Sequence, residues 1–154
     1  MTIEELTIRL KQEAESFNQN EPFASPMLQE QILLKDSFKE MLTVTLACGL
    51  AGEIINREKL ETLINSCFEK FPEILEYAKK DLVATVLRDP ACLGYLEPLL
   101  FFKGFQGLQA YRIAHALWKN NERFIAKMFQ SIISRKFGMD IHPAAQIGHG
   151  LLID

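Results

Sequence analysis

The chain has 154 residues, enough for one well-buried domain. With 48% apolar and 24% charged residues it reads as globular, and its net charge of −3 speaks against nucleic acid and anionic membrane surfaces, which want a basic stripe. The most apolar run, Met41 to Ile55, is broken by Thr43, Thr45, Gly49, Gly52 and Glu53, so it falls short of the ~18–20 apolar residues that a membrane span needs.

Taken in chain order, the first predicted element is a helix that opens on a capping box, Thr2 with Glu5, and carries one apolar stripe: Ile3, Leu6, Leu10, Ala14 and Phe17. Asn18 to Ser25, with Pro22, reads as a loop. Ser25 and Pro26 then stand as N-cap and first residue of a second helix, with Leu28, Ile32, Phe38, Met41, Leu42 and Leu46 inward and an end near Gly49–Gly52. Asn56 caps a third, which buries Leu60, Leu63, Ile64, Cys67 and Phe68. Pro72 suits the first turn of a fourth, running through Ile74, Leu75, Ala78, Leu82 and Val86. Pro90 disfavours helical geometry at Asp89 and stops it there. Asp89 to Gly104, with Pro90, Gly94, Pro98 and Gly104, reads as a structured turn. Two more helices follow, Phe105–Lys119 and Glu122–Phe137; the last buries Ile125, Met128, Phe129, Ile132 and Ile133 and ends on Gly138.

After Gly138 the pattern changes. Ile141, Ile147 and Ile153 recur every six residues, and Ala145 and Leu151 keep the same step. A helix repeats near 3.6 and a strand near 2, so a step of six indicates a hexapeptide β-helix, in which one aliphatic residue per turn points into a narrow prism. Three hexapeptides complete a coil, and residues 141–154 supply somewhat more than two. The expected fold is therefore mainly α: a helical bundle over 1–138, then the first, incomplete coil of a β-helix over 139–154. A coil without neighbours cannot bury its face, so residues 141–154 are expected to be poorly ordered unless another chain covers them.

Three aspartates stand at structural junctions. From spacing alone, Asp89 is a turn former at a helix end, Asp140 a corner residue bonding nearby amides, and Asp154 a frayed terminal residue. Of the histidines, His115 lies mid-helix near Tyr111 and Trp118 and reads as a packed or half-exposed ring. His142, two residues beyond Asp140, would share its face in an extended segment, with no third metal ligand evident. His149, between two glycines, reads as an exposed corner. The three cysteines, Cys48, Cys67 and Cys92, show no CxxC spacing; they read as small buried hydrophobes in a reducing compartment, and no metal site is expected. The opening Met-Thr-Ile-Glu-Glu lacks the basic and apolar regions of a signal peptide, so the expected location is the cytoplasm.

Three stretches together narrow the function: Asp89-Pro-Ala; Pro98-Leu-Leu-Phe-Phe-Lys-Gly-Phe-Gln-Gly-Leu-Gln-Ala-Tyr-Arg-Ile-Ala-His115; and Asp140-Ile-His-Pro-Ala-Ala-Gln-Ile-Gly-His-Gly-Leu-Leu-Ile-Asp154. They resemble serine O-acetyltransferase, specifically from Asp89 onward and more loosely over 1–88. The resemblance implies a left-handed parallel β-helix and acetyl transfer from acetyl-CoA to the hydroxyl of L-serine, the first committed step of cysteine synthesis. It implies acetyl-CoA as co-substrate and no bound cofactor. It makes Asp140 the carboxylate that orients a histidine base, and Asp89 and Asp154 the carboxylates that hold the amino acid. The base itself would directly follow Asp154; none of His115, His142 or His149 matches it. Without that base and the coenzyme A groove, the 154 residues alone are expected to be inactive.

The resemblance further implies a hexamer built as a dimer of trimers through the helical domains, and an O-acetylserine sulfhydrylase partner bound by a C-terminal tail that the 154 residues do not include. Neither a nucleic acid nor a membrane partner is expected. Two other readings stay open at this level: a hexapeptide acyltransferase for another small acceptor, and a non-catalytic helical oligomerisation module.

Overall fold

The computed structural model describes residues 1–53 and 55–154. Helix α1 spans Ile3–Asn20, and its capping box forms as the sequence indicates: Glu5 N donates to Thr2 Oγ1 at 3.0 Å, and Thr2 N donates to Glu5 Oε2 at 2.7 Å. Leu6, Leu10 and Ala14 are fully buried, whereas Phe17, expected inward, is 46% exposed on the last turn.

The single helix predicted from Ser25 onward is broken into pieces. A 3₁₀ turn, Pro22–Ala24, leads into a one-turn helix α2, Ser25–Leu28, and a π-turn, Gln29–Leu33. Ser25 is the first residue of α2 and not its side-chain cap. The chain then restarts as α3, Phe38–Leu50, where Ser37 Oγ accepts from Glu40 N at 3.2 Å and Glu40 Oε2 accepts from Asp36 N at 2.8 Å. The break is stabilised from α1, since Thr7 Oγ1 accepts the amide of Phe38 at 3.1 Å.

Helix α4, Arg57–Lys70, is capped by Asn56 as expected, its Oδ1 accepting from Lys59 N at 2.8 Å. Helix α5, Glu73–Arg88, ends where Pro90 requires, with Asp89 extended at φ −93° and ψ 108°. The stretch predicted as a turn between Asp89 and Gly104 contains a short helix, α6, Leu96–Phe101. Its free N-terminal amides are satisfied from a distance: Glu13 of α1 accepts from Tyr95 N at 3.2 Å and Leu96 N at 2.8 Å. A carboxylate at a helix N-terminus is favoured by both hydrogen bonding and the macrodipole.

Helices α7, Lys103–Lys119, and α8, Arg123–Phe137, form an antiparallel pair joined by a short loop. Helix α7 is buried on nearly every side, from Phe105 to Leu117, and touches α3, α4, α5, α6 and α8, which makes it the axis of the bundle. Met128 of α8, expected inward, is 38% exposed. Gly138 ends α8 in the left-handed conformation, φ 72°, as its position suggested.

No strand is assigned among the described residues, and 139–154 run as turns and irregular chain. A parallel coil gets its ladder bonds from the coils stacked on it, and one incomplete coil has none to pair with. None of the described helices is long and apolar enough to cross a membrane.

Candidate functional site

Residues 143–151 are fastened to α5 and α7 at almost every step, which corrects the expectation of a loosely ordered segment. The centre of this junction is Asp81 of α5, fully buried. Its Oδ2 accepts from Arg112 Nη2 at 2.6 Å, Arg112 Nε at 3.1 Å and Gln109 Nε2 at 2.9 Å, all from α7. Its Oδ1 accepts the backbone amides of Gly150 at 2.7 Å and Leu151 at 3.0 Å. Arg112, 4% exposed, uses the same Nη2 to reach Gly148 O at 2.9 Å. A buried carboxylate and a buried guanidinium each cost about several kcal/mol to desolvate, and here their pairing and the five hydrogen bonds accepted by the carboxylate offset that cost.

Further contacts complete the seat. Tyr111 donates its hydroxyl to Ala145 O, and burial pushes that phenol above its usual pKa. His115 Nδ1 donates to Pro143 O at 2.7 Å, so His115 is a partly buried ring with a backbone partner, in keeping with its reading as a packed or half-exposed ring. His142 turns edge-on to Trp118 at 4.9 Å, and its Nδ1 accepts from Ala144 N at 3.0 Å; it does not join Asp140. His149 packs on Tyr77 with ring centroids 4.8 Å apart, and Arg112 lies 5.4 Å from the same Tyr77 ring. All three histidines of the chain therefore sit against the helical bundle.

The three aspartates share no hydrogen-bond partner. Asp89 forms the turn that its position suggests: its Oδ1 accepts from Ala91 N at 2.9 Å and its carbonyl from Cys92 N at 3.1 Å. Its neighbour Arg88 reaches across to donate to Gly150 O at 2.8 Å, which ties the end of α5 to the run that leads to Asp154. Asp140 is exposed and accepts from Gln130 Nε2 of α8 at 2.8 Å. Asp154 is exposed, one residue beyond Ile153, whose carbonyl lies on the first turn of α7 against Gly104. Cys67 and Cys92 are buried and Cys48 half-buried; burial raises all three thiols, Cys67 to about 11, which suits packing and not nucleophilic attack.

Gly104 is required by this close approach. A Cβ there would fall inside the carbonyl oxygen of Ile153, and backbone cannot step aside as a flexible side chain can. Gly104→Ala is expected to cost about 1–3 kcal/mol as overpacking. Gly52, with open space around it, serves as the control, and Gly52→Ala should stay within about 0.5 kcal/mol of the parent in urea unfolding.

Comparison with known proteins follows the same outline. Residues 7–110 match the family model "Serine acetyltransferase, N-terminal". The chain belongs to the serine acetyltransferase family. It is 39% identical over 151 residues to the chloroplastic serine acetyltransferase 1 of Arabidopsis thaliana, covering 98% of this chain and 48% of that one. It is 38% identical over 145 residues to the serine acetyltransferase of Haemophilus influenzae, covering 94% and 54%. The chain thus spans about half the length of these curated relatives.

Among solved serine acetyltransferases, the one from Vibrio cholerae superposes with a TM-score of 0.97 at 35% identity, over 99% of this chain and 59% of that one. A serine acetyltransferase in complex with CoA gives 0.94 at 36% identity, over 97% and 63%. Another, from Neisseria gonorrhoeae in complex with serine, gives 0.95 at 34% identity, over 97% and 62%.

Against that family outline, Asp81, Arg112 and Gln109 are the residues that inspection of the sequence passed over. The available signal was a charge on a buried stripe: Asp81 falls on the α5 face between Ala78, Leu82 and Thr85, where an unpaired carboxylate would not be tolerated.

Proposed function

We propose that these residues form the N-terminal region of an enzyme that acetylates the hydroxyl of L-serine from acetyl-CoA. The observation that supports it most is the match to serine acetyltransferases across nearly the whole chain, including structures solved with CoA and with serine. In this reading the serine Oγ attacks the thioester carbonyl, a base removes its proton, the C–S bond breaks and coenzyme A leaves as the thiol. A hydroxyl is a weak nucleophile near neutral pH, so the proton must leave as the bond forms. The base is a histidine on the residue after Asp154, oriented by Asp140. Asp89 and Asp154 hold the ammonium group of serine, and the Arg88 bond to Gly150 O favours this by linking their two segments. The β-helix coil begun by Ile141, Ile147 and Ile153 is completed by further hexapeptides, which carry the coenzyme A groove.

The same reading makes the helical region an assembly element that joins β-helix trimers into a hexamer. It is supported by a groove of about 690 Å³ between α1 and α6, whose lining includes the exposed Phe17, Leu93 and Phe101. A cytoplasmic location fits three unpaired cysteines. An O-acetylserine sulfhydrylase partner would bind a C-terminal tail beyond these residues.

Two measurements test the reading. With acetyl-CoA and L-serine, the polypeptide 1–154 produced alone should release no thiol, whereas an enzyme of full family length beginning with these residues should; serine-dependent turnover by 1–154 would overturn the assignment of the base. In that full-length enzyme, Asp89→Ala should raise the serine KM and weaken inhibition by L-cysteine, which competes for the same site. An unchanged KM and unchanged cysteine sensitivity would remove Asp89 from the amino-acid pocket.

A further inference from the structure

Asp140 has one side-chain partner among the described residues, and it comes from the helix just before it. Gln130 lies on α8, two turns ahead of Gly138. The left-handed residue at Gly138 turns the chain back, so Asp140 returns alongside the helix it has just left. Gln130 Nε2 donates to Asp140 Oδ1 at 2.8 Å, and Asp140 Oδ2 accepts no hydrogen bond among the described residues. Gln130 Oε1 is buried and unpaired. The orientation of the amide is therefore decided by Asp140 alone: reversed, its carbonyl would face a carboxylate oxygen, acceptor against acceptor.

We propose that Gln130 is a positioning residue for serine acetylation, its amide fixing the Asp140 carboxylate so that the second oxygen is held for the ring N–H of the histidine base. The proposal rests on the reading of Asp140 given above. An exposed aspartate in irregular chain samples several rotamers, and only some of them present an oxygen to a base on the next coil. The bond from Gln130 selects among them and is charge-assisted. A neutral donor matters here. Lysine or arginine at position 130 would hold Asp140 equally well but would neutralise the charge that the imidazolium needs. Glutamine fixes the carboxylate and leaves its charge available.

The test is a double-mutant cycle in the full-length enzyme. Gln130→Met keeps the length and the packing of the stem and removes the donor. It is expected to lower kcat roughly tenfold while leaving the KM of serine and of acetyl-CoA within about twofold. In an Asp140→Asn background the same change should have no further effect on kcat. Gln130→Glu, which sets a carboxylate oxygen against Asp140, should lower kcat at least as far as Gln130→Met and gives an independent reading of the same bond. If Asp140→Asn lowers kcat but Gln130→Met does not, or lowers it by the same factor in both backgrounds, the positioning role is wrong and the role of Asp140 stands. If Asp140→Asn leaves kcat unchanged, the role of Asp140 falls and the proposal falls with it.

Discussion

Asp81→Asn is expected to destabilise the fold by about 3–5 kcal/mol, the range for breaking a buried ion pair from one side. Asp81 is fully buried and Arg112 is 4% exposed, so neither can recover its lost partner from water. Asparagine keeps the shape but not the charge. Its Oδ1 can still accept from Gly150 and Leu151, but its amide then faces the guanidinium donors of Arg112 and the amide of Gln109. Urea unfolding followed by circular dichroism measures the loss. Hydrogen exchange at Gly150 and Leu151 separates local from global effects, since both amides should lose protection at once if Asp81 is what holds them. A change below about 1 kcal/mol would mean that solvent reaches the pair and that the carboxylate is not the centre of the junction.

This junction also marks the limit of what a linear reading could reach. The capping box at Thr2, the Asn56 cap, the stop at Pro90 and the left-handed Gly138 were legible because each is decided within a few residues. Ser37 with Glu40 has the same local signature, but it was hidden inside an apolar stripe that seemed continuous from Leu28 to Leu46. Helix α6 was not legible at all. The carboxylate that caps it belongs to Glu13, more than 80 residues earlier, and no local pattern announces a cap supplied by another helix.

The candidate site divides in the same way. Asp89 could be placed because a turn before proline is a local event, and the turn is there. The six-residue step was legible after Gly138, yet a repeat encodes stacking against copies of itself. What holds the second of these steps is a carboxylate and a guanidinium from helices α5 and α7, whose meeting depends on tertiary packing. The expectation of a loose segment followed from counting only other coils as a cover for it. The structure gives it a seat on the bundle before any second coil is considered.

On the roles proposed above for Asp140, Asp89 and Asp154, the largest effect on chemistry is expected from Asp140→Asn in the full-length enzyme. The substitution preserves volume and leaves Asp89 and Asp154 untouched, so the KM of serine should hold. Turnover should fall roughly 10²–10⁴-fold, the range that general-base catalysis contributes. Two losses combine. A carboxylate that accepts a ring N–H fixes the tautomer in which the other nitrogen faces the substrate hydroxyl; asparagine can present a donor there instead and favour the wrong tautomer. The imidazolium formed as serine attacks also loses its counter-charge. Steady-state rates with each substrate varied in turn distinguish this from a binding defect, because a lost binding contact would raise KM with kcat retained. Wild-type kcat in Asp140→Asn would mean that another group orients the base. In that case the contact between Gln130 and Asp140 would only close the chain reversal after Gly138.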